Sequence, residues 1–320
     1  MIKTVVIGPT EHTRLCLEEI LKTDGYQVSA VFGSSISKKH KKARWTTFND
    51  LAEFYKFELI YCNRFKDPEN IKIIQDLNPD VIFEFGSSEL IPKDVLEIPK
   101  YGCIGSHGGP LPQIKGGATL NWALLRDERE WGVSLYYLSE KADEGDIIGV
   151  SYFNIDDRDD IKTLHDKSDY HTVKMLRKVL FDLKSTGNTE RIKQLKADGI
   201  FLPQRKPTDA EIKWDAHGRE IFNFVRAQTH PFPGAYTYLD DEKLSIWRGS
   251  YTCGINFQDI TEIQNGTLYG ISYGKGFLVK CDDGYYIIER ISDSSNIEYW
   301  GDDFFKIRGL KNGYRFRRKD

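Results

Sequence analysis

Short apolar runs alternate with segments of helical apolar spacing over the first half of the chain. The predicted strands cover 3–8 (KTVVIG), 27–33 (QVSAVFG), 58–62, 80–85 (DVIFEF) and 102–106, and the predicted helices lie near 12–24, 46–56, 68–77 and 117–126. A parallel sheet with crossover helices requires this alternation. The pattern therefore predicts an α/β fold with a doubly wound, mostly parallel sheet. Thr47 or Asn49 is expected to cap the second helix, and Asp67-Pro68 to open the third.

The pattern changes in the second half. Residues 160–184 place apolar positions at helical spacing and predict one long amphipathic helix. After a proline-rich stretch near 200, short strand-like pieces with glycine turns follow: AYTYL, KLSIWRG, TLYGISY, GFLVKC and GYYIIERI. Closely spaced strands of this kind predict a small, β-rich, OB-like barrel. We therefore expect an N-terminal catalytic domain over 1–205 and a C-terminal domain over 206–320.

Composition narrows the class of protein. The 320 residues are 40% hydrophobic and contain no apolar run of membrane-spanning length, so a soluble, cytoplasmic protein is expected. The net charge of −3 gives no overall attraction to nucleic acid. A basic segment at 34–45 (SSISKKHKKARW) is interpreted as a solvated loop over the sheet, with phosphate binding by its lysines left open. Five scattered cysteines indicate neither disulfides nor zinc, and no metal site is predicted.

The candidate chemistry lies between residues 102 and 149. His107 follows a strand-like run and precedes Gly108-Gly109, so it is expected at the carboxyl end of a strand. Asp143 lies in a second glycine-bearing loop, KADEGDI. Each has an ordinary structural explanation: a histidine at a turn, or an aspartate that precedes a glycine in a hairpin turn. Together they offer a general acid or base and a carboxylate that can reach it.

A third candidate is the glycine pair that precedes the segment ATLNWALL. Gly116-Gly117 opens a predicted helix whose free N–H groups could hold an anion, although an ordinary helix start explains it equally. The chain has neither a P-loop nor the GxGxxG fingerprint. A dinucleotide site is therefore disfavoured.

The stretches SHGGPLPQIKGGATLNWALL and GVSLYYLSEKADEGDII resemble the folate-dependent formyltransferases. That family has an Asn-x-His, a turn ending in Leu-Pro, an Arg-Gly pair and a later Asp-x-Gly loop. The resemblance continues through DDIKTLHDK, LPQRKPTDAEIKWD and IFNFVRAQTHPFPGAYTYLDDEKLSIWRG, nearly the whole chain. Within the family the chain is most similar to the sugar N-formyltransferases, through LNWALL, PFPGAYTY and KLSIW. Methionyl-tRNA formyltransferase shares the architecture and is the second candidate.

The resemblance implies formyl transfer from N10-formyltetrahydrofolate to the amine of a dTDP- or UDP-linked amino sugar, with neither membrane nor nucleic acid as partner. It is compatible with a homodimer. His107 and Asp143 match the family's catalytic histidine and aspartate. Folate is expected against Phe85, Gly86, Ser87, Leu90, Ile91, Leu138, Glu140, Ala142, Asp143 and Asp146. The acceptor is expected against Ser106, Gly108, Gly109, Lys115 and Gly116.

Two positions depart from the family pattern. Gly105 stands where the family has the asparagine that hydrogen-bonds the formyl oxygen, and Lys115 replaces the arginine. Losing one such donor can cost roughly 10²- to 10³-fold in rate. Three interpretations stay open: a protonated His107 or a backbone N–H supplies the missing donor, the chain is a natural variant with the same activity, or it is a weak or nonenzymatic member. Asn121 lies inside the predicted helix and matches a noncatalytic position.

Overall fold

The computed structural model describes residues 1–87, 89–195, 199–253 and 263–317. The chain forms two compact units. One comprises Met1–Thr119, Glu130–Asn154 and His165–Pro203, and the other Leu120–Arg129, Ile155–Leu164 and Gln204–Asp320. The chain passes between them for the last time after Pro203, and the domain boundary at 205/206 stays a prediction from the sequence.

The N-terminal unit is built on a seven-stranded sheet with the order β3-β2-β1-β4-β5-β7-β8. Its strands are β1 (Ile2–Ile7), β2 (Tyr26–Ser34), β3 (Glu58–Cys62), β4 (Val81–Glu84), β5 (Cys103–His107), β7 (Glu130–Tyr137) and β8 (Ile147–Asn154). The first five in this order are parallel, and β7 and β8 add an antiparallel edge. The predicted doubly wound, mostly parallel sheet is confirmed. A separate parallel pair joins β6 (Ile114–Gly116) to β9 (Ile200–Leu202).

Both faces of this sheet are covered, as the apolar runs require. The helices up to residue 186 in this unit are α1 (Glu11–Lys22), α2 (Asn49–Tyr55), α3 (Pro68–Leu77), α4 (Lys93–Leu96) and, from His165 on, α6 (Ile161–Thr186). Helix α5 (Thr119–Leu125) belongs from Leu120 on to the other unit. Phe83 and Ile104 pack in one buried cluster with Leu180 of α6. Ile82 and Cys103 pack in another, on the opposite face. Successive strand residues alternate between the faces, and this alternation also positions the site.

Two local predictions differ from the structure. The residue before α2 is Phe48, and no side chain caps the helix, because the Oδ1 atom of Asn49 accepts a hydrogen bond from Tyr61 instead. The expected cap by Thr47 or Asn49 was therefore wrong. The basic segment 34–45 contains a 3₁₀ helix, Ile36–Lys41, which a sequence without apolar periodicity did not indicate. Pro68 does open α3, as predicted.

The C-terminal unit carries an antiparallel sheet with the order β12-β13-β14-β11-β10-β16, and β15 pairs with β14. Its strands are β10 (Ala235–Leu239), β11 (Glu242–Cys253), β12 (Leu268–Ser272), β13 (Gly276–Cys281), β14 (Gly284–Ser292), β15 (Glu298–Trp300) and β16 (Phe316–Arg317). The two ends of the sheet meet where Leu268 N–H donates to Tyr314 O (2.7 Å) and Phe316 N–H to Gly266 O (2.9 Å). The predicted small barrel-like domain is confirmed.

Its helices, α7 (Gly218–Arg226) and α8 (Gly301–Ile307), pack apolar side chains against this sheet. A 3₁₀ turn, Pro207–Ala210, precedes α7. Among the residues that the structure describes, no helix combines the length and apolar character needed to cross a membrane.

Candidate active site

Strand β5 ends at His107, at the carboxyl edge of the parallel sheet. His107 and Gly105 face one side of the sheet, and Ser106 between them faces the other, because strand side chains alternate. The turn after β5 needs glycine at position 109. A Cβ atom there would lie 2.9 Å from Ile114 Cγ2 and 3.0 Å from His107 Nε2. Gly109 therefore makes room for the imidazole.

Asp143 lies in the loop between β7 and β8 and meets His107 across a short gap. Its Oδ1 atom is 3.3 Å from His107 Nδ1. The Gly116 N–H donates to Oδ2 at 2.8 Å, and the Tyr136 hydroxyl donates to Oδ1 at 3.1 Å. The backbone of Asp143 is left-handed (φ +57°), a conformation that aspartate tolerates better than most residues. The structure thus brings together the two residues that the sequence singled out.

Hydrogen bonds from Gln194 and backbone packing at Gly145 both hold the Asp143 loop in position. Gln194 Nε2 donates to the carbonyls of Asp143 (3.0 Å) and Gly145 (2.6 Å). Gly145 packs directly on the backbone of β7, where a Cβ atom would lie 1.7 Å from Tyr137 O. Glycine is required at that close approach. The carboxylate is consequently held by backbone geometry, which favours a fixed distance to the histidine.

Protonation of the pair follows from its burial and partners. His107 is 8% exposed and Asp143 is 7% exposed. Since a carbonyl can only accept, the His107 Nε2–H donates to Ile114 O at 3.0 Å, and Nδ1 faces the carboxylate. Burial lowers the pKa of His107, while Asp143 and the Ile114 carbonyl act in the opposite direction. The imidazole is therefore mainly neutral at pH 7, with its unprotonated Nδ1 facing the carboxylate.

Gly105 leaves the position of the family's asparagine without a side chain. It pairs in register with Glu84 of β4 on one side and Tyr136 of β7 on the other. A Cβ atom at 105 would lie 2.6 Å from Leu138 Cδ2, so any larger residue requires Leu138 to move. The amide nitrogen of Asn121 donates to Ala227 O at 2.7 Å.

The residues predicted to hold the acceptor have different surroundings. Gly116 donates to Asp143, as described above, and Gly108 O accepts a hydrogen bond from the Trp131 indole at 2.8 Å. Lys115 is largely buried, at 8% exposure. The Ser106 hydroxyl is on the far face of the sheet, 2.8 Å from His12 Nε2. Ser106 and His107 are therefore adjacent in sequence but point to opposite sides.

The residues predicted to hold folate form two groups. In the loop after β4, Gly86 and Leu90 are exposed and Ser87 is half-buried. The Phe85 side chain lies in the core, stacked on Phe83. Residue 88 of this loop lies outside the described residues. Ile91 is buried in the same apolar cluster against which Leu138 packs.

The second group lies on the β7–β8 loop beside Asp143. Glu140 and Ala142 are exposed. Asp146 is half-buried and lies 3.9 Å from an Arg191 guanidinium nitrogen. These side chains border the loop that presents Asp143, and their role in binding folate stays a prediction.

Several residues near the site carry no motif that would single them out in the sequence. Tyr136 reads as an ordinary β-strand residue, and Gln194 lies 51 positions from Asp143. Glu84 is a carboxyl group buried at the end of β4, within an otherwise apolar run. Its position in the apolar run DVIFEF could have indicated a special role, because glutamate is rarely buried in a strand without a partner. On the far face, His12 and Asp169 form a second histidine-aspartate pair at 2.6 Å.

Comparison with known proteins shows the family of the chain. Residues 2–180 match the family model described as formyl transferase, and residues 205–309 match the formyl transferase C-terminal domain. The chain belongs to the formyl transferase family. It is therefore a transferase of formyl groups, with its histidine-aspartate pair inside the matched N-terminal region. Members of the family use N10-formyltetrahydrofolate as the formyl donor.

Individual relatives of this formyl transferase differ in their acceptors. It is 27% identical over 315 residues to the methionyl-tRNA formyltransferase of Bacillus velezensis, covering 98% of this chain and 97% of that one. The N-formyltransferase of Helicobacter canadensis, solved with folinic acid and dTDP-3-aminofucose, superposes with a TM-score of 0.65 at 19% identity, covering 90% and 98% of the two chains. HypX of Aquifex aeolicus, solved with tetrahydrofolic acid, gives 0.64 at 15% identity, covering 96% of this chain and 48% of HypX.

Proposed function

We propose that this formyl transferase takes the formyl group from N10-formyltetrahydrofolate and transfers it to the amine of a dTDP- or UDP-linked amino sugar. The buried His107–Asp143 pair carries the proposal. Acyl transfer to an amine must remove a proton from the attacking nitrogen, and this pair offers a neutral imidazole and a carboxylate 3.3 Å apart. No covalent enzyme intermediate is required.

The surroundings of the pair fit a folate. Leu90 is 50% exposed, which is unusual for a leucine beside a buried cluster, and it offers an apolar surface to a flat ring. Gly86 has a left-handed backbone (φ +69°) and no side chain to shield the loop's backbone groups. We propose that residues 85–87 and 89–91 and the segment 138–146 hold the folate, which when bound supplies the formyl carbon.

In the proposed mechanism, the chain's own residues position and move protons. Asp143 receives the amine proton, directly or through His107 Nδ1, because its carboxylate is held by Gly116 and Tyr136 at a fixed distance from the imidazole. As the acceptor nitrogen bonds to the formyl carbon and the bond from that carbon to N10 breaks, the pair passes this proton to N10 and the carboxylate is restored. When Nδ1 holds that proton, the His107 side chain is an imidazolium cation, and its charge stabilises negative charge on the formyl oxygen. The low exposure of both side chains strengthens these electrostatic effects.

A direct assay tests the activity. The protein is incubated with N10-formyltetrahydrofolate and a panel of dTDP- and UDP-linked amino sugars, and the products are analysed by mass spectrometry. We expect one amino sugar to gain the mass of a formyl group while the matching hydroxy sugar gains nothing. Asp143→Asn is the matched inactive control. Folate binding without transfer to any amine would favour the nonenzymatic alternative and overturn the proposal.

Methionyl-tRNA is the second candidate acceptor. The observation that favours it is similarity to a methionyl-tRNA formyltransferase over nearly the full length of both chains. The basic segment 34–45 is the natural phosphate-binding element for such a substrate. Its Arg44, however, is 10% exposed and holds Asp169 at 2.5 Å, and Lys38 donates to Asn63 O. These internal bonds favour the sugar.

A transfer assay on charged initiator tRNA separates the two acceptors. If tRNA is the substrate, transfer falls steeply with added salt, because phosphate contacts release counterions. Lys39→Glu would then raise the KM for tRNA and leave transfer to a sugar unchanged. Activity on tRNA with none on sugars would overturn the sugar assignment and leave formyl transfer in place.

A further inference from the structure

Glu84 is a buried carboxyl group that the mechanism above does not use. It is the last residue of β4 and is 8% exposed. Its neighbour in the parallel register is Gly105 on β5, and the neighbour of Gly105 is Tyr136 on β7. Residues paired across a sheet point their side chains to the same face. Glu84 therefore lies on the face where Tyr136 reaches Asp143.

The surroundings of Glu84 favour its neutral form. Burial raises the pKa of Glu84 to about 8, and the charge of Asp143 acts in the same direction, while the Ser87 N–H and Lys42 oppose it. The Ser87 N–H donates to Glu84 Oε1 at 2.8 Å. The other titratable groups facing it, Cys103 of β5 and Tyr136 of β7, are themselves uncharged because burial raises the pKa of each. At pH 7 the Glu84 carboxyl thus keeps an O–H that can donate.

Position 105 has no side chain that could donate a hydrogen bond. An asparagine there would place an amide beside the reacting formyl group, but Gly105 has no side chain and Leu138 fills the adjacent space. Tyr136, the neighbour on β7, already donates to Asp143. Neighbouring strands are only about 4.8 Å apart, and a glutamate side chain is longer than an asparagine side chain. Glu84 can therefore approach the formyl group from the next strand, alongside Leu138 and not through the position that Leu138 occupies.

We propose that the carboxylic acid of Glu84 donates to the formyl oxygen the hydrogen bond that an asparagine at position 105 would donate. The inference rests on the proposed function, since it assigns a catalytic residue to that reaction. The bond strengthens as negative charge develops on the oxygen, and no covalent bond to Glu84 forms. A buried acid kept neutral by an apolar site performs this role in ketosteroid isomerase.

Two substitutions at Glu84 test the assignment. Glu84→Gln keeps a donor of the same length, whereas Glu84→Val removes the donor and leaves an apolar group that the buried site accepts. At pH 7 we expect kcat to fall about 10²-fold in Glu84→Val and less than about tenfold in Glu84→Gln. Glu289→Gln is the matched control, because Glu289 is also buried (7% exposed) but belongs to the C-terminal unit. Thermal unfolding verifies that each variant folds.

The pH profile separates a donor from a merely structural group. In the wild type, kcat should fall above about pH 8 as Glu84 loses its proton. Glu84→Gln should lack this decrease. The ratio of the two rates at each pH removes the contribution of the substrate amine, which titrates equally in both. A ratio that does not change between pH 6 and 10 would overturn the assignment.

A rescue experiment completes the test. Gly105→Asn added to Glu84→Val restores the family's donor, and we expect it to recover kcat at least about tenfold. Leu138→Ala can be included in both proteins to provide space for the amide. Full activity in Glu84→Val, or no recovery in the folded double variant, would overturn the role of Glu84 alone. A wild type that formylates no acceptor would instead overturn the proposed function, and this inference with it.

Discussion

Two histidine-aspartate pairs lie on opposite faces of strand β5. On one face His107, the last residue of the strand, meets Asp143 at 3.3 Å. On the other, Ser106 contacts His12, which meets Asp169 at 2.6 Å. By distance alone, the His12–Asp169 pair would be expected to interact more strongly than the His107–Asp143 pair. Its serine-histidine-aspartate order even has the connectivity of a hydrolase triad.

The difference lies in what else each carboxylate binds. Arg44 holds Asp169 at 2.5 Å and is itself 10% exposed, so a buried cation neutralises the aspartate permanently. Asp143 has a backbone N–H and a tyrosine hydroxyl, and no lysine or arginine pairs with it among the residues that the structure describes. A carboxylate held by a cation is a poor proton acceptor, whereas one held by neutral donors can take a proton. Partners, rather than distance, distinguish the pair that we propose as reactive from the one that we regard as structural.

The largest expected effect is on the His107–Asp143 pair. Asp143→Asn keeps the size of the side chain but removes the charge that accepts the amine proton, so we expect kcat to fall about 10³-fold. His107→Ala should have a comparable effect. Formyl transfer is measured by mass spectrometry, and circular dichroism verifies folding. Full turnover in either variant would contradict the assignment of the reactive pair.

The corresponding change in the other pair should affect stability instead. Among the residues that the structure describes, Asp169→Asn leaves the buried Arg44 with the exposed Glu11 as its one ion-pair partner, so we expect the free energy of unfolding to fall by about 3 kcal/mol. Below the unfolding temperature, kcat should stay within about twofold of the wild type, since turnover is not assigned to this pair. Denaturant titration measures the first quantity. A folded Asp169→Asn protein without activity would show that the His12–Asp169 pair is also needed for turnover, which contradicts the purely structural role assigned to it.

The same pair should contribute to acid unfolding. Burial raises the pKa of Asp169, but His12 and Arg44 outweigh it and lower the value to about 2. A depressed pKa means that the stabilisation is complete above about pH 4 and is lost as the pH falls towards 2. The wild type should therefore lose about 2 kcal/mol more stability than Asp169→Asn between about pH 5 and pH 2. Equal losses in the two proteins would exclude this contribution.

The smallest effect is expected for Ser106→Ala. The substitution removes one hydrogen bond to His12, and we expect a loss of about 1 kcal/mol in the free energy of unfolding. Because Ser106 faces away from His107, the KM for the acceptor should not change. A clear rise in KM would instead support the sequence-based prediction that Ser106 binds the acceptor.

The fold could be predicted from the sequence because its signal is local and repeated. Each strand from KTVVIG onward is an apolar run of the right length, and each crossover has helical spacing. The predicted cap of α2 failed for the opposite reason. Which of Phe48, Thr47 and Asn49 begins that helix depends on Tyr61, a residue of the following strand that binds Asn49.

The candidate site was only partly predictable. His107 and Asp143 could be identified because glycines flank both and because the ordered motifs resemble a family. Tyr136, Gln194 and Glu84 could not, since a tyrosine, a glutamine and a lone acid in an apolar run have no motif of their own. Their contribution depends on strand register and on a loop that closes from 51 positions away.

The sequence by itself determined the order of strands and helices, the family, and the two residues most suited to proton transfer, because these follow from local periodicity and motif spacing. Only the tertiary structure decided which face of β5 each side chain occupies and which aspartate meets a cation. It also paired Glu84 with Gly105 across two neighbouring strands. Charge, burial and proton affinity depend on neighbours brought together by folding, and a linear pattern does not contain those neighbours.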